Sequence, residues 1–195
     1  GSTCTLVARQ YRDSGIEPDQ SIALCMASGI ISDTLYLQSP TTTAVDRAML
    51  EWLRQRCPVD LDQFARTFFE IGSALRTSTP DGVVEEDCKE FTERDIRFSI
   101  SQIEETGFDL FWERKDELRI ALVAYAKQHE LDFSALLITD VVSNGSLLLL
   151  SKETEAWEEI NYPRIDRGLY ALKNVVSRKK QLLPLVTQLI QSAVL

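Results

Sequence analysis

The sequence predicts an α/β protein: a helical amino-terminal piece, then an α/β domain with a mixed sheet flanked by helices. Three observations predict it. Apolar residues recur at helical spacing through residues 1–75, with no strand pattern among them. A Thr-Ser-Thr-Pro-Asp-Gly stretch beginning at Thr77 then changes the character of the chain. Beyond it, two-residue alternation and short apolar runs take turns with amphipathic segments, which is the pattern of a sheet covered by helices.

The elements follow in order. Ser2 or Thr3 caps a first helix carrying Leu6, Val7 and Tyr11, and Gly15 stops it. Pro18 opens a second helix through Ile22, Ala23, Cys25 and Met26 to Gly29-Ile30-Ile31, and the polar trio Ser32-Asp33-Thr34 reads as a turn behind it. Thr41-Thr42-Thr43 starts a third helix with Val45, Ala48, Met49, Trp52 and Leu53 at helical spacing, ended by Pro58. Asp60 or Asp62 starts a fourth, bearing Phe64, Phe68, Ile71 and Leu75. Residues 76–86 read as a linker. From Arg94 to Ile103 the alternation of Ile96, Phe98 and Ile100 with Arg97, Ser99 and Ser101 predicts a strand half exposed to solvent. Phe108 to Gln128 is an amphipathic helix, Phe133 to Val142 a strand apolar on both faces, and Asn144-Gly145 a hairpin turn into Ser146 to Leu150. A short acidic helix near Glu153 to Glu159 and a mixed segment through Tyr162 and Tyr170 lead to Val175–Leu195, read as a strand end, a turn and a terminal helix.

Composition excludes several functions. The 195 residues are 44% hydrophobic and carry 21 basic against 30 acidic side chains, a net charge of −9. Whole-chain repulsion opposes a broad electrostatic grip on nucleic acid or anionic lipid, so neither partner is expected. The longest apolar stretches are short, such as Leu147 to Leu150, far below the roughly 20 residues that span a bilayer, and no signal-peptide pattern opens the sequence. Cys4, Cys25, Cys57 and Cys88 lie far apart, without a close pair of the zinc-finger or thioredoxin kind, and read as reduced thiols of a cytoplasmic protein. With one histidine, His129, no metal site built mainly from imidazoles can be completed by this polypeptide.

Three places carry candidate chemistry. Ser177-Arg178-Lys179-Lys180-Gln181 precedes an apolar helix, and Ser177 can cap it. Cations are disfavoured at a helix start unless an anion is there to meet them, so the cluster reads either as a solvated basic turn or as a phosphate site. Asp33 is a hard oxygen ligand suited to manganese or magnesium, or else a cap for the next turn. Lys89, in Asp87-Cys88-Lys89-Glu90-Phe91, is by itself an ordinary surface lysine. His129 reads as a cation at a helix end; no Ser/His/Asp arrangement, P-loop or dinucleotide motif is present.

Taken together, the motifs resemble a known family. Gly1-Ser2-Thr3-Cys4-Thr5-Leu6-Val7, Gly29-Ile30-Ile31-Ser32-Asp33-Thr34-Leu35 and Ser39-Pro40-Thr41-Thr42-Thr43-Ala44-Val45-Asp46 resemble the second half of the DHH domain in manganese-dependent, family II inorganic pyrophosphatases. Asp87-Cys88-Lys89-Glu90-Phe91, Ile100-Ser101-Gln102-Ile103-Glu104, Ile138-Thr139-Asp140-Val141 and Ser177-Arg178-Lys179-Lys180-Gln181-Leu182-Leu183-Pro184 are similar to that family's carboxy-terminal domain.

The resemblance implies a helical remnant of a DHH domain (1–75), a linker (76–86) and a substrate-binding α/β domain (87–195). It implies a phosphohydrolase cleaving pyrophosphate by metal-activated water, with Asp33 as a ligand of Mn2+ (or Mg2+ or Co2+) and Lys89, Arg178 and Lys179 holding substrate phosphate across a cleft from it. Alternatives are an exopolyphosphatase of the prune-like group acting on polyphosphate, or a non-catalytic phosphate-binding or regulatory module. A homodimer of the parent protein is left open. The family's remaining ligands, including its Asp-His-His motif, have no counterpart in these residues, so the chain is expected to be a carboxy-terminal fragment, inactive alone and prone to self-association through an uncovered apolar face.

Overall fold

In the computed structural model, which describes residues 1–192, helix α1 (Thr3–Ser14) starts where the Ser2 hydroxyl accepts the Cys4 amide at 3.1 Å. It stops at Gly15, whose φ of 70° is the left-handed cap that a Cβ would disfavour. Helix α2 (Gln20–Thr34) packs on α1 so closely at Gly29 that a Cβ there would strike the Cys4 sulfur. The trio Ser32-Asp33-Thr34, expected as a turn, forms the last turn of α2 instead. Helix α3 (Ala44–Arg54) opens with a capping box between Thr43 and Asp46, and its face of Met49, Leu50 and Leu53 is buried.

Helix α4 (Leu61–Ile71) forms where expected, but its buried face is Leu61, Ala65 and Phe69. Ile71 is 74% exposed and Phe68 lies outward too, so the expected stripe of Phe64, Phe68 and Ile71 is corrected. The helix is apolar on more than one face, and spacing alone could not say which face the neighbours cover.

The chain divides into two compact units, Gly1–Ile71 and Gly72–Leu195. Residues 76–86 are not a linker. They contribute to α5 (Ala74–Thr77) and α6 (Pro80–Glu85), and Val83 and Val84 of α6 are fully buried in the second unit. Thr79 caps α6, accepting the Gly82 amide at 3.2 Å, and Pro80 takes the first helical position. Thr-Pro serves a helix start as readily as a loop, which explains the misreading.

The second unit is a six-stranded mixed sheet in the order β1-β2-β3-β4-β6-β5, with β1 (Cys88–Glu93), β2 (Ile96–Glu105), β3 (Phe133–Asp140), β4 (Gly145–Leu150), β5 (Arg164–Asp166) and β6 (Leu169–Lys173). Strands β2 and β3 run parallel, the other neighbouring pairs named here antiparallel, and α7 (Asp109–Gln128) makes the crossover between β2 and β3. Alternate side chains feed two cores. On one face Phe98, Ile100, Phe133 and Leu148 meet Trp157, Leu182, Val186 and Leu189, the last two from α8 (Leu183–Ser192). On the other, Ile103, Leu136, Ile138 and Leu147 meet Phe111, Leu118 and Leu122 of α7 and the valines of α6.

This two-sided burial corrects the expectation of a half-exposed β2. Ser99 and Ser101 are wholly buried, Ser99 donating to the Ser134 hydroxyl at 2.9 Å and Ser101 to the Val84 carbonyl. The acidic segment is a 3-10 turn, Glu155–Glu159, and Arg178–Leu182 is a π-helical turn leading into α8. Of the expected terminal helix, residues 193–195 lie outside the described residues. Among the described residues, all four cysteines are free and no helix is long and apolar enough to cross a membrane.

Candidate functional site

Strands β2 and β3 end together at Glu105 and Asp140, and β4 starts and β6 ends at the same end of the sheet. In open α/β sheets, ligands bind outside the carboxyl ends of parallel strands. Asp140 organises the end: its Oδ1 accepts the Gly107 and Val142 amides at 3.0 and 2.9 Å, and its Oδ2 the Ser143 amide at 3.2 Å. The segment from Lys173 to Arg178 leaves β6 here and enters the π-helical turn.

Lys89 and Arg178 are both related to Ile100 of β2. Lys89 pairs with Ile100 and shares its sheet face, the face that α8 covers. The Arg178 guanidinium bridges Ile100 and Asp87: Nη1 donates to the Ile100 carbonyl at 3.1 Å and to the Asp87 carbonyl, and Nη2 to Asp87 Oδ1 at 2.9 Å. Nε and one Nη2 hydrogen remain unassigned, so this arginine is as much a brace between β1 and β2 as a free fork. Lys179 follows it on the exposed side of the turn. Lys89, Lys179 and Lys180 form no ion pair among the described residues.

Two glutamines fix the turn that carries these cations. Gln181 Oε1 accepts the Val176 and Ser177 amides at 2.9 and 3.1 Å, and its Nε2 donates to the Asn174 carbonyl at 2.6 Å. Gln102, from β2, accepts the Arg178 amide. Ser177 caps the turn, its hydroxyl accepting the Lys180 amide at 3.3 Å, as the sequence predicted. Beside it, burial pushes the Glu104 carboxyl above the ordinary carboxylate range; the hydrogen bond from Gln102 and the charge of Arg178 oppose the shift, while Asp87 and Glu86 add to it. Sequence reading met Gln102 and Glu104 only within the Ile100–Glu104 stretch of the resemblance and gave them no role, because their partners are remote along the chain.

In the first unit, Asp33 is exposed in the last turn of α2, its Oδ2 accepting the Ser2 hydroxyl at 2.6 Å. Ser2 is in turn held by the buried Asp46, which accepts the Ser2 amide at 3.0 Å, the Thr5 hydroxyl at 2.5 Å, and the Thr43 amide and hydroxyl at 2.7 and 2.6 Å. Burial alone would raise the Asp46 carboxyl; the bonds from Thr43, Thr5 and Ser2 outweigh it and hold the group well below the ordinary range. Three consecutive residues just after Asp33, namely Leu35, Tyr36 and Leu37, have left-handed φ values of 48°, 49° and 68°. Such a run in residues other than glycine costs about 1–2 kcal/mol per residue and collects at sites where geometry is held on purpose. The spacing of Thr43 and Asp46 was readable as a capping box; the left-handed run had no glycine or asparagine to announce it.

The donor set bears on metal binding. Among the described residues no group of three or more His, Cys, Asp or Glu side chains could hold a metal ion. Asp33 brings a single carboxylate, already bonded to Ser2, and these residues alone do not fit a metal pair. His129 follows α7, its Nδ1 2.8 Å from Glu90 Oε1 and its ring stacked on Tyr125, and among the described residues it belongs to no group of three or more possible metal ligands.

Comparison with known proteins shows the family of the chain. Residues 66–189 match the DHHA2 domain. The chain is 31% identical over 188 residues to the manganese-dependent inorganic pyrophosphatase of Bacillus subtilis, covering 96% of this chain and 61% of that protein. It is 31% identical over 195 residues to the cobalt-dependent inorganic pyrophosphatase of Clostridium perfringens, covering 100% of this chain and 36% of that protein. Among solved structures, one titled "Methanococcus jannaschii putative family II inorganic pyrophosphatase" matches with a TM-score of 0.77 and 26% identity, over 98% of this chain and 65% of that one. The chain thus spans less than two thirds of the length of each of these relatives.

Proposed function

We propose, from the premise that this chain belongs to the DHHA2 domain family, that it supplies the phosphate-gripping part of a metal-dependent inorganic pyrophosphatase. The reaction is cleavage of pyrophosphate to two phosphates, the activity named for the relatives above. The reading is supported by Lys89, which pairs with Ile100, and by Arg178, whose guanidinium donates to the Ile100 carbonyl, with the exposed Lys179 next to it in the chain. Among the described residues of this acidic chain, Lys89 and Lys179 form no ion pair. Lysines Lys89 and Lys179 act as point charges on phosphoryl oxygens, and Arg178 presents its remaining donors while bracing β1 against β2. Asp33 is assigned as one ligand of a manganese or cobalt ion, with the Ser2 hydroxyl bonded to its carboxylate. The donors of the described residues do not complete the site of that ion.

A titration of inorganic phosphate into the 195-residue chain tests the reading. Binding is expected, and the double substitution Lys89→Ala, Lys179→Ala should weaken it by at least about tenfold, the loss of one charge-assisted hydrogen bond. Unchanged affinity in the double variant would overturn the assignment. The second reading, a phosphate-binding module without catalysis of its own, is favoured by the same donor set: these residues alone should show negligible manganese-dependent turnover of pyrophosphate, and measurable turnover would refute that.

A further inference from the structure

Gln102 sits on β2 two residues beyond Ile100, facing the turn that carries Arg178 and Lys179. Its Oε1 accepts the Arg178 amide at 2.8 Å; its Nε2 donates to Glu104 Oε1 at 3.0 Å and to the Val176 carbonyl at 3.3 Å. These partners fix the orientation of the amide group, since two acceptors can be met only by the NH2 and a backbone N–H only by the carbonyl. Gln181 holds the turn from its own helical side, at Val176, Ser177 and Asn174. Gln102 holds it from the sheet, and it alone of the two reaches Arg178.

That contact decides where the Arg178 backbone stands. The guanidinium of Arg178 is anchored on Asp87 and Ile100, one strand from Lys89, while its amide is anchored on Gln102. With both ends held, the direction in which Lys179 leaves the turn is set relative to the β1–β2 pair. Glu104 contributes by occupying the NH2 of Gln102, which keeps the carbonyl free for Arg178.

We propose that Gln102 is a positioning residue of the phosphate site: it fixes the main chain at Arg178 so that Lys179 and the uncommitted edge of the Arg178 guanidinium converge with Lys89. The inference rests on the reading of those three cations as phosphate ligands. A glutamine that merely stabilised the fold would change melting and leave phosphate affinity alone.

The test uses the whole 195-residue chain with inorganic phosphate as the probe. Gln102→Met keeps the length and removes the hydrogen bonds; Gln102→Glu keeps an acceptor for the Arg178 amide but cannot donate to Glu104 or Val176. Both are expected to bind phosphate roughly tenfold more weakly at temperatures well below their melting points, about the worth of one hydrogen bond. Amide hydrogen exchange should accelerate at Arg178 in Gln102→Met and leave the strand amides of β3 unchanged. If Met fails to fold, the Glu variant carries the same expectation. Wild-type affinity in the Gln102 variants, with binding still lost in Lys89→Ala, Lys179→Ala, would overturn the positioning role and leave the phosphate reading standing. Absence of phosphate binding in the unsubstituted chain would overturn both.

Discussion

Asp46 in the first unit and Glu105 in the second are both buried carboxylates that form no salt bridge among the described residues, yet their protons are held in opposite senses. Asp46 collects four hydrogen bonds, two on each oxygen, and is held below its ordinary 3.8. Glu105 has two donors: the Ser73 hydroxyl, shared between its oxygens at 2.9 and 2.7 Å, and the Leu75 amide at 3.2 Å. Burial therefore wins at Glu105 and raises it above its ordinary 4.5, despite Ser73, Leu75 and the nearby Arg76 and Arg114. Burial pushes both groups the same way, and the number of donors decides the sign. The Asp46 arrangement needs its charge; the Glu105 arrangement tolerates a proton.

The most severe test of that contrast is Asp46→Ala. It strips the Ser2 and Thr43 amides and two hydroxyls of their acceptor and should destabilise the first unit by about 3 kcal/mol in urea denaturation. A cost below about 1 kcal/mol would mean the bonds are not holding the unit together. The pH dependence sharpens the contrast next. The share of stability from Asp46 is fully present above about pH 4 and is lost as pH falls through its lowered folded value. The share from Glu105 runs the other way: present below its ordinary 4.5 and lost as pH rises through its raised folded value. Stability profiles of Asp46→Asn and Glu105→Gln should accordingly flatten on the acid side and on the side toward neutrality, respectively; flattening of both on one side breaks the comparison. The smallest effect is expected of Glu105→Gln at pH 7, which keeps an acceptor for Ser73 and Leu75 and should lie within about 1 kcal/mol of the unsubstituted chain.

The same contrast bears on what could be read from the residues. Ser2, Gly15, Thr43 and Ser177 act on amides within a few positions of themselves, so caps and helix starts were legible. Strand β1 was not, because Cys-Lys-Glu-Phe-Thr-Glu has no strand signature of its own and is extended by its pairing with β2. The serines of β2 read as solvent-facing although α6 and β3 cover them, and polarity cannot show that a hydroxyl has a carbonyl waiting. At the candidate site, Lys89, Arg178 and Lys179 were picked out one by one as charges, and a family resemblance joined them. The brace from Arg178 to Ile100 and the grip of Gln102 on Arg178 join residues far apart in sequence and emerge only once the parallel pair is in register.

Lys89, Arg178 and Lys179 as a phosphate grip are the centre of the account, and mapping amide chemical shifts of the labelled chain during titration with pyrophosphate in metal-free buffer tests that most directly. The account predicts saturable shifts at Lys89, at Gln102 and from Ser177 to Lys180, with the amides around Leu61–Ile71 unmoved. Shifts that spare 177–180, or that do not saturate, would contradict it.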